Sequence, residues 1–512
     1  MRGLHWFRND LRLRDNRALE ALTDRVEAWL PVFVLDPELL ARSPASRPRT
    51  RFLLDCLLAL ERDLAERGVR LRVLEGPPER VLPELARSLR VSLVAWNEAP
   101  TPLGARRDAR VEAALGRVGA EALVLRDHTI FGPDEIRTKT GGCYSVYGPY
   151  RKAWWRAWHE TPRLPSPRIR LPARTIDVLE DEAGGESKRG SRRARRGRAD
   201  ATSGARAEAA GSAVLASALV AGSGAPSGSV LPALPRGGEA VAARRLARFL
   251  AGPAARYAVD RDRPEVDGTS RLSPHLRFGT ISARRCVGEG LARAKASPAS
   301  RTGIAKWLDE LVWREFHHAI LAQSPHVLVR SFRPEYDALE WSDDEEAFRA
   351  WQAGRTGYPF VDAGMRQLAA TGWMHNRVRM VVASFLTKHL LIDWRRGERH
   401  FFDALVDGDP ASNNGGWQWA ASTGTDPQPY FRIFNPVAQG ERWDPEGSYV
   451  RQWVPELRGL PAGRIHAPWV KGERPPGYPP PIVDHAIARA RALDAYRRAR
   501  QGASRARTRS SR

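Results

Sequence analysis

The sequence predicts an N-terminal α/β domain built on a doubly wound parallel sheet, followed by a larger domain made only of helices. Three observations lead to this prediction. The chain has 512 residues, more than one ordinary domain contains. Short apolar runs alternate with amphipathic stretches up to about residue 130. After about residue 240 this strand pattern gives way to helical periodicity.

Five apolar runs in the N-terminal part predict strands, at residues 4–7, 29–35, 69–74, 92–96 and 122–125. The amphipathic stretches between them predict helices at residues 49–67, 79–89 and 105–115. This alternation is typical of a parallel sheet, because parallel strands need crossover connections. No G-x-G-x-x-G motif follows the first strand, so the usual dinucleotide-binding fingerprint is absent.

The same patterns predict the domain boundaries. We place the α/β domain at residues 1–130 and the helical domain at residues 241–496. Residues 131–240 are expected to form an interdomain linker, which includes a low-complexity basic insert at residues 184–235. Residues 497–512, which lack acidic side chains, are expected to form a disordered basic tail.

The charge balance indicates a polyanionic partner such as nucleic acid. The chain has 82 Lys and Arg against 59 Asp and Glu, a formal net charge of +23. Residues 188–198 contain a basic block that could contact phosphates, although a solvated charge run explains it equally well. Three scattered cysteines exclude a disulfide framework, and no apolar run is long enough to cross a bilayer. We therefore expect a cytoplasmic monomer.

A helical segment at residues 307–316 carries the first candidate site. Helical spacing places Trp307, Glu310 and Arg314 on one face, with Trp313 next to Glu310. Indole rings beside a carboxylate and a guanidinium suit a planar heteroaromatic ligand. The alternative is a core helix whose charges pair at i, i+4, and this segment alone favours that alternative.

A second cluster lies at residues 372–380, where Asn376, Arg379 and Met380 share a helical face. His375 is a possible acid or base, but without a positioned carboxylate a core or capping role is favoured. A third segment, residues 407–419, is too polar for a core. Its Asp407 and Asp409 lack the spacing of a calcium loop, so we expect no metal and favour hydrogen bonds to the edge of a conjugated ring.

A fourth segment, residues 268–273, offers hydroxyls and backbone amides near a predicted helix start. It suits either a phosphate cradle or simple N-capping. The sequence contains no Walker motif, no G-x-S-x-G elbow and no H-E-x-x-H motif. The sequence therefore lacks the motifs that usually indicate nucleotide hydrolysis, serine esterase activity or zinc protease activity.

These segments together resemble the DNA photolyase and cryptochrome family, and most closely its class I cyclobutane pyrimidine dimer photolyases. The matching stretches are residues 6–16 (WFRNDLRLRDN), 268–273, 310–316 and 356–436. The resemblance implies an antenna-type α/β domain and a helical domain that binds reduced FAD noncovalently. It also implies a lyase reaction, in which light drives an electron from the flavin to a flipped-out pyrimidine dimer in ultraviolet-damaged DNA and splits it.

The resemblance also implies roles for particular residues. The catalytic residues are expected to be Glu310, Trp313, Met380 and Asn413, with Asn413 at flavin N5. The expected electron relay runs through Trp417, Trp394 and Trp341. The residues expected to bind FAD are Tyr257, Thr269, Ser270, Arg271, Leu272, Ser273, Trp307, Glu310, Arg314, Asn376, Arg379, Asp407, Gly408, Asp409 and Asn413, with Asp407 paired to Arg379. The residues expected to bind DNA or the lesion are Arg261, Glu310, Trp313, Trp373, Asn376, Arg377, Met380, Trp419 and Arg432.

Members of this family can carry a second, antenna chromophore in the α/β domain. Folate-binding members have an Asn-Glu pair where this chain has residues 102–108 (PLGARRD). The missing pair favours a deazaflavin or a flavin over a methenyl folate, and leaves an empty antenna site open. Two rival functions also remain, a cryptochrome that signals without repair and a (6-4) photolyase. Asn413 disfavours the first, and the second typically has a histidine pair where His375-Asn376 stands.

Overall fold

The computed structural model describes residues 1–42, 47–166, 169–176, 234–426, 432–470 and 475–510. The basic block at residues 188–198 and nearly all of the predicted insert, residues 184–233, lie outside the described residues. Within the described ranges, no helix combines the length and the apolar character needed to cross a membrane.

The N-terminal domain is the predicted doubly wound parallel sheet. Its strands are β1 (Arg2–Phe7), β2 (Ala28–Leu35), β3 (Arg72–Glu75), β4 (Leu93–Asn97), β5 (Glu121–Leu125) and the short β6 (Arg174–Thr175). The first five strands lie in the order β3-β2-β1-β4-β5, and β6 pairs with the start of β2. All the pairings are parallel. The helices of this domain are α1 (Arg17–Thr23), α2 (Pro37–Arg42), α3 (Arg47–Ala65), α4 (Pro78–Ser88) and α5 (Pro102–Gly116).

Both faces of this sheet are buried, which explains the continuous apolar runs in its strands. Alternate residues of β1 enter different cores: Trp6 packs in one hydrophobic cluster and Phe7 in another. The sequence patterns did not predict α1. It has only seven residues, and it begins where the Asn16 side chain accepts a hydrogen bond from the backbone N–H of Leu19 at 3.2 Å.

The second domain is helical, as predicted, but its helices extend beyond the predicted range of residues 241–496. Its helices are α6 (Tyr147–Glu160), α7 (Glu239–Ala251), α8 (Tyr257–Asp260), α9 (Ser273–Arg277), α10 (Ala283–Ala296), α11 (Arg301–Gln323), α12 (Glu345–Gln352), α13 (Pro359–Thr371), α14 (Asn376–Ser384), α15 (Trp394–Ala404), α16 (Pro410–Ala421), α17 (Pro436–Trp443), α18 (Ser448–Trp453), α19 (Ala462–Ile465) and α20 (His485–Ser510). A π-helical turn, Phe385–His389, directly follows α14.

The linker predicted at residues 131–240 is wrong over α6. The side chains of Tyr150, Trp154 and Trp158 are buried in the same cluster as Phe316 of α11. The Trp154 indole also donates a hydrogen bond to Glu315 Oε2 at 2.7 Å. These aromatic residues lie among charged ones in the sequence, so their common face becomes evident only when α11 covers it.

The disordered tail predicted from residue 497 is also wrong for residues 497–510, because α20 continues to Ser510. Alanine and arginine dominate this segment, and both are strong helix formers. One face of the helix is held by packing, since Ala492, Ala495 and Tyr496 are buried against Tyr336. Net charge was therefore a poorer guide than helix propensity and tertiary packing.

The two domains meet at a buried cluster of charges, here called the interface ion cluster, formed by Arg12, Asp15, Asp127 and Arg284. Arg12 Nη2 lies 2.5 Å from Asp127 Oδ2, and Arg284 Nε lies 3.2 Å from Asp15 Oδ1. Arg284 also pairs with Asp127. Burial alone would raise the pKa of Asp127, but the two guanidinium groups lower it. All four side chains are at most 3% exposed, so each charge depends on its partners for stabilisation.

We expect Arg284→Met to lower the free energy of unfolding by about 3 to 5 kcal/mol, because it leaves buried carboxylates without a cation. Denaturant unfolding followed by circular dichroism measures this loss. The matched control is Arg285→Met, which removes only a partly exposed i, i+4 pair with Glu289 and should cost less than about 1 kcal/mol. Equal losses in the two variants would show that the interface ion cluster is not a main determinant of stability.

Candidate functional site

A cavity of about 340 Å³ lies within the helical domain, and here it is called the central cavity. Most of the residues predicted for the site line it: Tyr257, Thr269, Ser270, Ser273, Trp307, Glu310, Trp313, Arg314, Asn376, Arg379, Met380, Asp407, Gly408, Asp409, Asn413 and Trp417. The structure adds lining residues that the sequence did not indicate, namely Leu276, Arg277, Leu311, His317, Ala383, Phe401, Leu405, Ser412 and Gly416. Segments far apart in the chain thus meet at one place.

One wall of the central cavity is α11. Its Trp307 is buried, and the indole N–H donates a hydrogen bond to Ser270 Oγ at 3.3 Å. Trp313 stacks on Tyr147 with ring centroids 3.6 Å apart and planes within 10°. The stacking fixes the orientation of the Trp313 indole. Helix α6, which the sequence assigned to a linker, therefore positions a predicted site residue.

Glu310 lies on the same wall, with 28% of its side chain accessible. Burial raises its pKa, and the charge and hydrogen bond of Arg261 offset part of this effect. A carboxyl group with a raised pKa can hold a proton closer to neutral pH than an ordinary glutamate. Arg261, which is itself a predicted DNA-binding residue, contacts the Glu310 carboxylate directly.

The floor of the central cavity holds an anionic residue among cationic ones. Asp409 caps α16 by accepting a hydrogen bond from the Ser412 N–H at 2.8 Å. Burial would raise the pKa of Asp409, but His318, Arg277 and Arg314 lower it. Asp409 therefore stays ionised and balances the two guanidinium groups.

Among the described residues, His128, His318 and Asp409 could in principle hold a metal ion, since one ligand atom from each lies within 4.8 Å of the others. The surroundings oppose a cation. The Arg314 guanidinium contacts the His128 ring and donates a hydrogen bond to the His128 carbonyl at 2.8 Å. A positive charge in direct contact with a would-be ligand favours an anion or a neutral group there instead.

The predicted pairing of Asp407 with Arg379 is confirmed. Arg379 Nη2 lies 2.9 and 3.2 Å from the two carboxylate oxygens, and Arg379 Nε donates to the Met374 carbonyl at 2.8 Å. The capping role favoured for His375 is also confirmed, because its Nδ1 accepts from the Arg377 N–H at 3.2 Å. Burial lowers the pKa of His375 to about 3, so the ring is neutral at physiological pH.

Glu398 is a site residue that the sequence did not indicate. Its backbone carbonyl accepts a hydrogen bond from the Asn413 amide at 3.0 Å, and its carboxylate accepts from Asn414 at 3.2 Å. Burial raises the pKa of Glu398 to about 7. In the sequence it lies among arginines on α15, which is typical of a solvated face, so no pattern identified it.

Lys388 was also missed. It lies in the π-helical turn, is buried, and donates hydrogen bonds to Ser422 Oγ at 2.8 Å and to the Arg432 carbonyl at 2.5 Å. Burial lowers its pKa to about 7. Lys388 therefore ties the end of α16 to the backbone of a predicted DNA-binding residue. The sequence signal was available, because residues 381–392 form an apolar run in which Lys388 is the only lysine, arginine, aspartate or glutamate.

Several predicted residues, among them Arg271, Leu272 and Trp373, are not in the lining of the central cavity. Leu272 is buried in a hydrophobic core, so only its backbone could contact a cofactor. Arg271 forms an ion pair with Asp267 and lies over the Trp373 ring, 4.9 Å from its centroid. Trp373 packs against the core beside the α/β domain. Part of its side chain remains exposed, and its predicted stacking on the lesion stays a prediction.

Arg377 also faces away from the central cavity, because its guanidinium pairs with Asp262 at 2.7 Å and covers the Trp443 ring. Trp419 is partly buried against the core around α13. Arg432 is exposed. These three residues are not in the lining of the central cavity. This position suits contacts to a DNA backbone and does not suit contacts to the cofactor.

The three tryptophans of the predicted relay differ in burial. Trp417 lines the central cavity, Trp394 is fully buried and Trp341 is partly exposed. Gly397 lets α15, which begins at Trp394, approach the Trp417 ring, because a Cβ at this position would lie 2.2 Å from the indole. The indole N–H groups of Trp417 and Trp394 have no hydrogen-bond partner among the described residues.

The central cavity fits a flavin nucleotide. Arg277 and Arg314 offer positive charge for phosphates. Thr269, Ser270 and Ser273 line the same cavity and offer hydroxyl groups. The Trp417 N–H is buried and has no partner in the described part of the chain, so it is a donor that a ligand in this cavity could satisfy.

Comparisons with known proteins agree with this fit. A family model described as DNA photolyase matches residues 3–168, and one described as the FAD binding domain of DNA photolyase matches residues 307–498. A curated relative from Halobacterium salinarum, named deoxyribodipyrimidine photo-lyase, is 41% identical over 97% of this chain and 99% of its own length.

Two solved structures are also similar over nearly the whole chain. A class III photolyase from Agrobacterium tumefaciens has 35% identity and a TM-score of 0.81, and the match covers 98% of each chain. An archaeal photolyase from Sulfolobus tokodaii, described with two FAD molecules, has 31% identity and a TM-score of 0.76 over 97% of this chain and all of that one. The fold and the central cavity define an FAD-binding protein of the photolyase and cryptochrome class. Within that class, the chain belongs to the DNA photolyase family.

The raised pKa of Glu398 predicts a pH-dependent stability. A carboxyl group whose folded-state pKa is raised releases its proton more readily when unfolded, so stability falls as pH rises from about 4.3 to about 7. We expect Glu398→Gln to remove part of this fall, by up to about 1.4 kcal/mol per pH unit. Denaturant unfolding from pH 5 to pH 8 measures it. The control is Glu446→Gln, because Glu446 is exposed. If the free energy of unfolding changes with pH equally in both variants, the prediction is contradicted.

Proposed function

We propose that this chain repairs ultraviolet-damaged DNA in the light by splitting cyclobutane pyrimidine dimers. The observation that carries the proposal is the central cavity of a DNA photolyase family member, in which Glu310, Trp313, Met380 and Asn413 converge. The chain is a deoxyribodipyrimidine photo-lyase, a carbon–carbon lyase, in keeping with its full-length similarity to curated relatives of that name. No observation favours the cryptochrome or (6-4) alternatives.

FAD is the cofactor, and when bound in reduced form it supplies the electron that splits the dimer and recovers it afterwards. The residues of this chain bind and orient it. Arg314 and Arg277 would neutralise its phosphates, with Ser270 and Ser273 as hydroxyl donors. The Arg379–Asp407 pair would hold polar edges of the cofactor at the opposite wall, because both side chains are already fixed by hydrogen bonds.

The amide of Asn413 would face the flavin ring, and its orientation is supported by the hydrogen bond to the Glu398 carbonyl. A neutral amide at this place neither repels nor neutralises a negative charge on the ring. Glu398 keeps a second amide, that of Asn414, in place. The pair of asparagines is thereby positioned by α15 and not only by its own helix.

The lesion would lie against Glu310, Trp313 and Met380. Trp313 offers a rigid indole surface, and stacking of a base on such a surface contributes about 1 to 3 kcal/mol. Glu310 would hydrogen-bond the damaged bases and, through its raised pKa, hold a proton near them. Arg261 keeps Glu310 in place from outside the cavity.

Contacts to the DNA backbone would come from Arg261, Arg377 and Arg432, with Trp419 beside the opening. We propose that α20 and the basic block at residues 188–198 add a salt-dependent attraction that is independent of base sequence. The protein would act as a cytoplasmic monomer.

For the antenna, we propose a flavin or deazaflavin in the α/β domain. The segment at residues 102–108 is occupied by ion pairs, with Asp108 contacting Arg8 and Arg107 lying 3.4 Å from Asp36. Both guanidinium groups lie over the Trp6 ring. A folate would have to displace these pairs. The similarity to an archaeal photolyase with two FAD molecules supports a flavin.

The proposed function predicts light-dependent repair that needs the Glu310 proton. We expect the purified protein to restore dimer-containing oligonucleotides only under near-ultraviolet or blue light. Glu310→Gln should lower the repair yield about tenfold, equivalent to about 1.4 kcal/mol, while dimer binding changes little. Chromatography of the repaired strand and fluorescence anisotropy measure the two quantities. Glu289→Gln, on the surface of α10, is the control. Bound FAD without repair by the unmodified protein would refute the assignment.

The predicted relay can be separated from repair. We expect Trp417→Phe to block photoreduction of oxidised flavin, because phenylalanine is much harder to oxidise than tryptophan. Repair by the chemically reduced variant should remain largely intact. Transient absorption and the oligonucleotide assay measure the two activities. The control is Trp155→Phe, an indole outside the cavity lining. Equal loss of both activities would remove Trp417 from the relay.

A further inference from the structure

A second concave site lies beside the central cavity, between α7 and the loop that leads to α9. It has a volume of about 220 Å³ and is here called the α7 groove. Its lining consists of arginines along one wall, an apolar floor and a polar opposite wall: Val241, Arg244, Arg245, Arg248, Phe249, Pro253, Asp267, Thr269 and Ser270. The functions argued above use Thr269 and Ser270 but none of the arginines.

The α7 groove has an excess of positive charge. Arg244, Arg245 and Arg248 all line the groove from α7, and Arg244 and Arg248 lie one turn apart on the same helical face. The only carboxylate in the lining is Asp267. It is already shared, since it lies 3.2 Å from Arg248 and 3.1 Å from Arg271.

Arg245 shows this imbalance most clearly. Its side chain is partly buried, and its pKa is lowered by burial and by the charge of Arg271, with Asp267 offsetting only part of the effect. Among the described residues, no hydrogen bond or ion pair engages the guanidinium groups of Arg244 or Arg245. Arg244 and Arg248 are exposed to solvent, whereas Arg245 is partly buried, so a bound anion would compensate the desolvated Arg245 guanidinium most directly.

The shape and chemistry of the α7 groove indicate which anion would bind. Guanidinium forks opposite the hydroxyls of Thr269 and Ser270 match the several acceptor oxygens of a phosphate group. The floor formed by Phe249 and Pro253 offers an apolar surface for the sugar attached to it. Phe249 packs on Trp307 with ring centroids 5.1 Å apart, so this aromatic pair lies between the groove and the central cavity, while Thr269 and Ser270 line both.

The α7 groove is also close to the predicted lesion site. Arg261, which contacts Glu310, and Asp267, which lines the groove, are six residues apart in the chain. Six residues span at most about 21 Å. A DNA strand rises about 3.4 Å per nucleotide, so a strand with its lesion at Glu310 has backbone phosphates within this reach.

We propose that the α7 groove binds a phosphate group, and that in this protein the phosphate belongs to the DNA backbone a few nucleotides from the lesion. The choice of DNA rests on the proposed function. Such a contact positions the strand without reading its sequence. Free phosphate compounds share the same recognition chemistry, and the experiment distinguishes the two sources.

The first test removes the three arginines together, as Arg244→Gln, Arg245→Gln and Arg248→Gln, in the full-length, flavin-loaded protein. A matched control removes three exposed arginines of the α/β domain, as Arg87→Gln, Arg106→Gln and Arg117→Gln, so both proteins lose the same net charge. Fluorescence anisotropy with an undamaged duplex between 50 and 200 mM salt, about the range over which phosphate contacts weaken, gives the affinity and its salt dependence.

We expect the groove variant to bind about tenfold more weakly at low salt. Its slope of log affinity against log salt should be smaller by about 0.9, the value for one lost phosphate contact. The control should keep the slope of the unmodified protein. Replacing the same three arginines by lysine should restore most of the slope. If the groove variant and the control behave alike, DNA is not the ligand of the groove.

A second measurement addresses free phosphate. Thermal unfolding with millimolar pyrophosphate should show stabilisation of the unmodified protein and none of the groove variant. If pyrophosphate stabilises the protein but the salt slope of DNA binding is unchanged in the groove variant, the phosphate site is retained and the DNA assignment is overturned. If neither effect is seen, the whole proposal is overturned. An unchanged flavin absorption spectrum shows that the triple variant is folded. If the triple variant does not fold, Arg244→Gln alone is used in its place. Because the duplex is undamaged, failure of dimer repair would refute the proposed function without affecting this test.

Discussion

The interface ion cluster is the interaction on which the geometry of the site depends. Asp127 is held between Arg12 of the α/β domain and Arg284 of the helical domain. The next residue, His128, binds Arg314 through its carbonyl, and Arg314 lines the central cavity. The position of a cofactor-facing guanidinium is thus set by the contact between domains. The α/β domain is therefore a structural support for the cavity, whether or not an antenna binds.

Close backbone contact completes this interface. The Leu11 N–H donates to the Phe278 carbonyl at 3.1 Å, and Arg12 Nη1 donates to the Gly279 carbonyl at 2.9 Å. Gly279 has a φ of +62°, and a Cβ there would lie 2.0 Å from the Asn9 carbonyl oxygen. Only glycine combines this conformation with this approach. The loop after β1 and the helical domain therefore fit as one unit, which explains why residues 6–16 are so distinctive in the sequence.

Desolvation governs the chemistry of the central cavity. Burial raises the pKa of Glu310 and Glu398, and would also raise that of Asp409 without its cationic neighbours. Carboxyl groups in one region thus have different protonation behaviour because their partners differ. Glu310 has one arginine, the Glu398 carboxylate accepts from the neutral amide of Asn414, and Asp409 has two arginines and a histidine. In the α7 groove, by contrast, three arginines line the surface with a single carboxylate, that of Asp267.

The amino-acid sequence alone determined the fold class, the five main strands and most of the cavity residues, because periodicity and long family motifs are local properties of the chain. The tertiary structure decided what depends on distant packing. It made α6 part of the core, showed that Trp373 packs beside the α/β domain, and identified Glu398, Lys388 and the arginines of α7. Burial and charge pairing arise mostly when separate segments meet, so the sequence indicated them only where a family motif or an isolated charge did so, as at Asp407–Arg379 and Lys388.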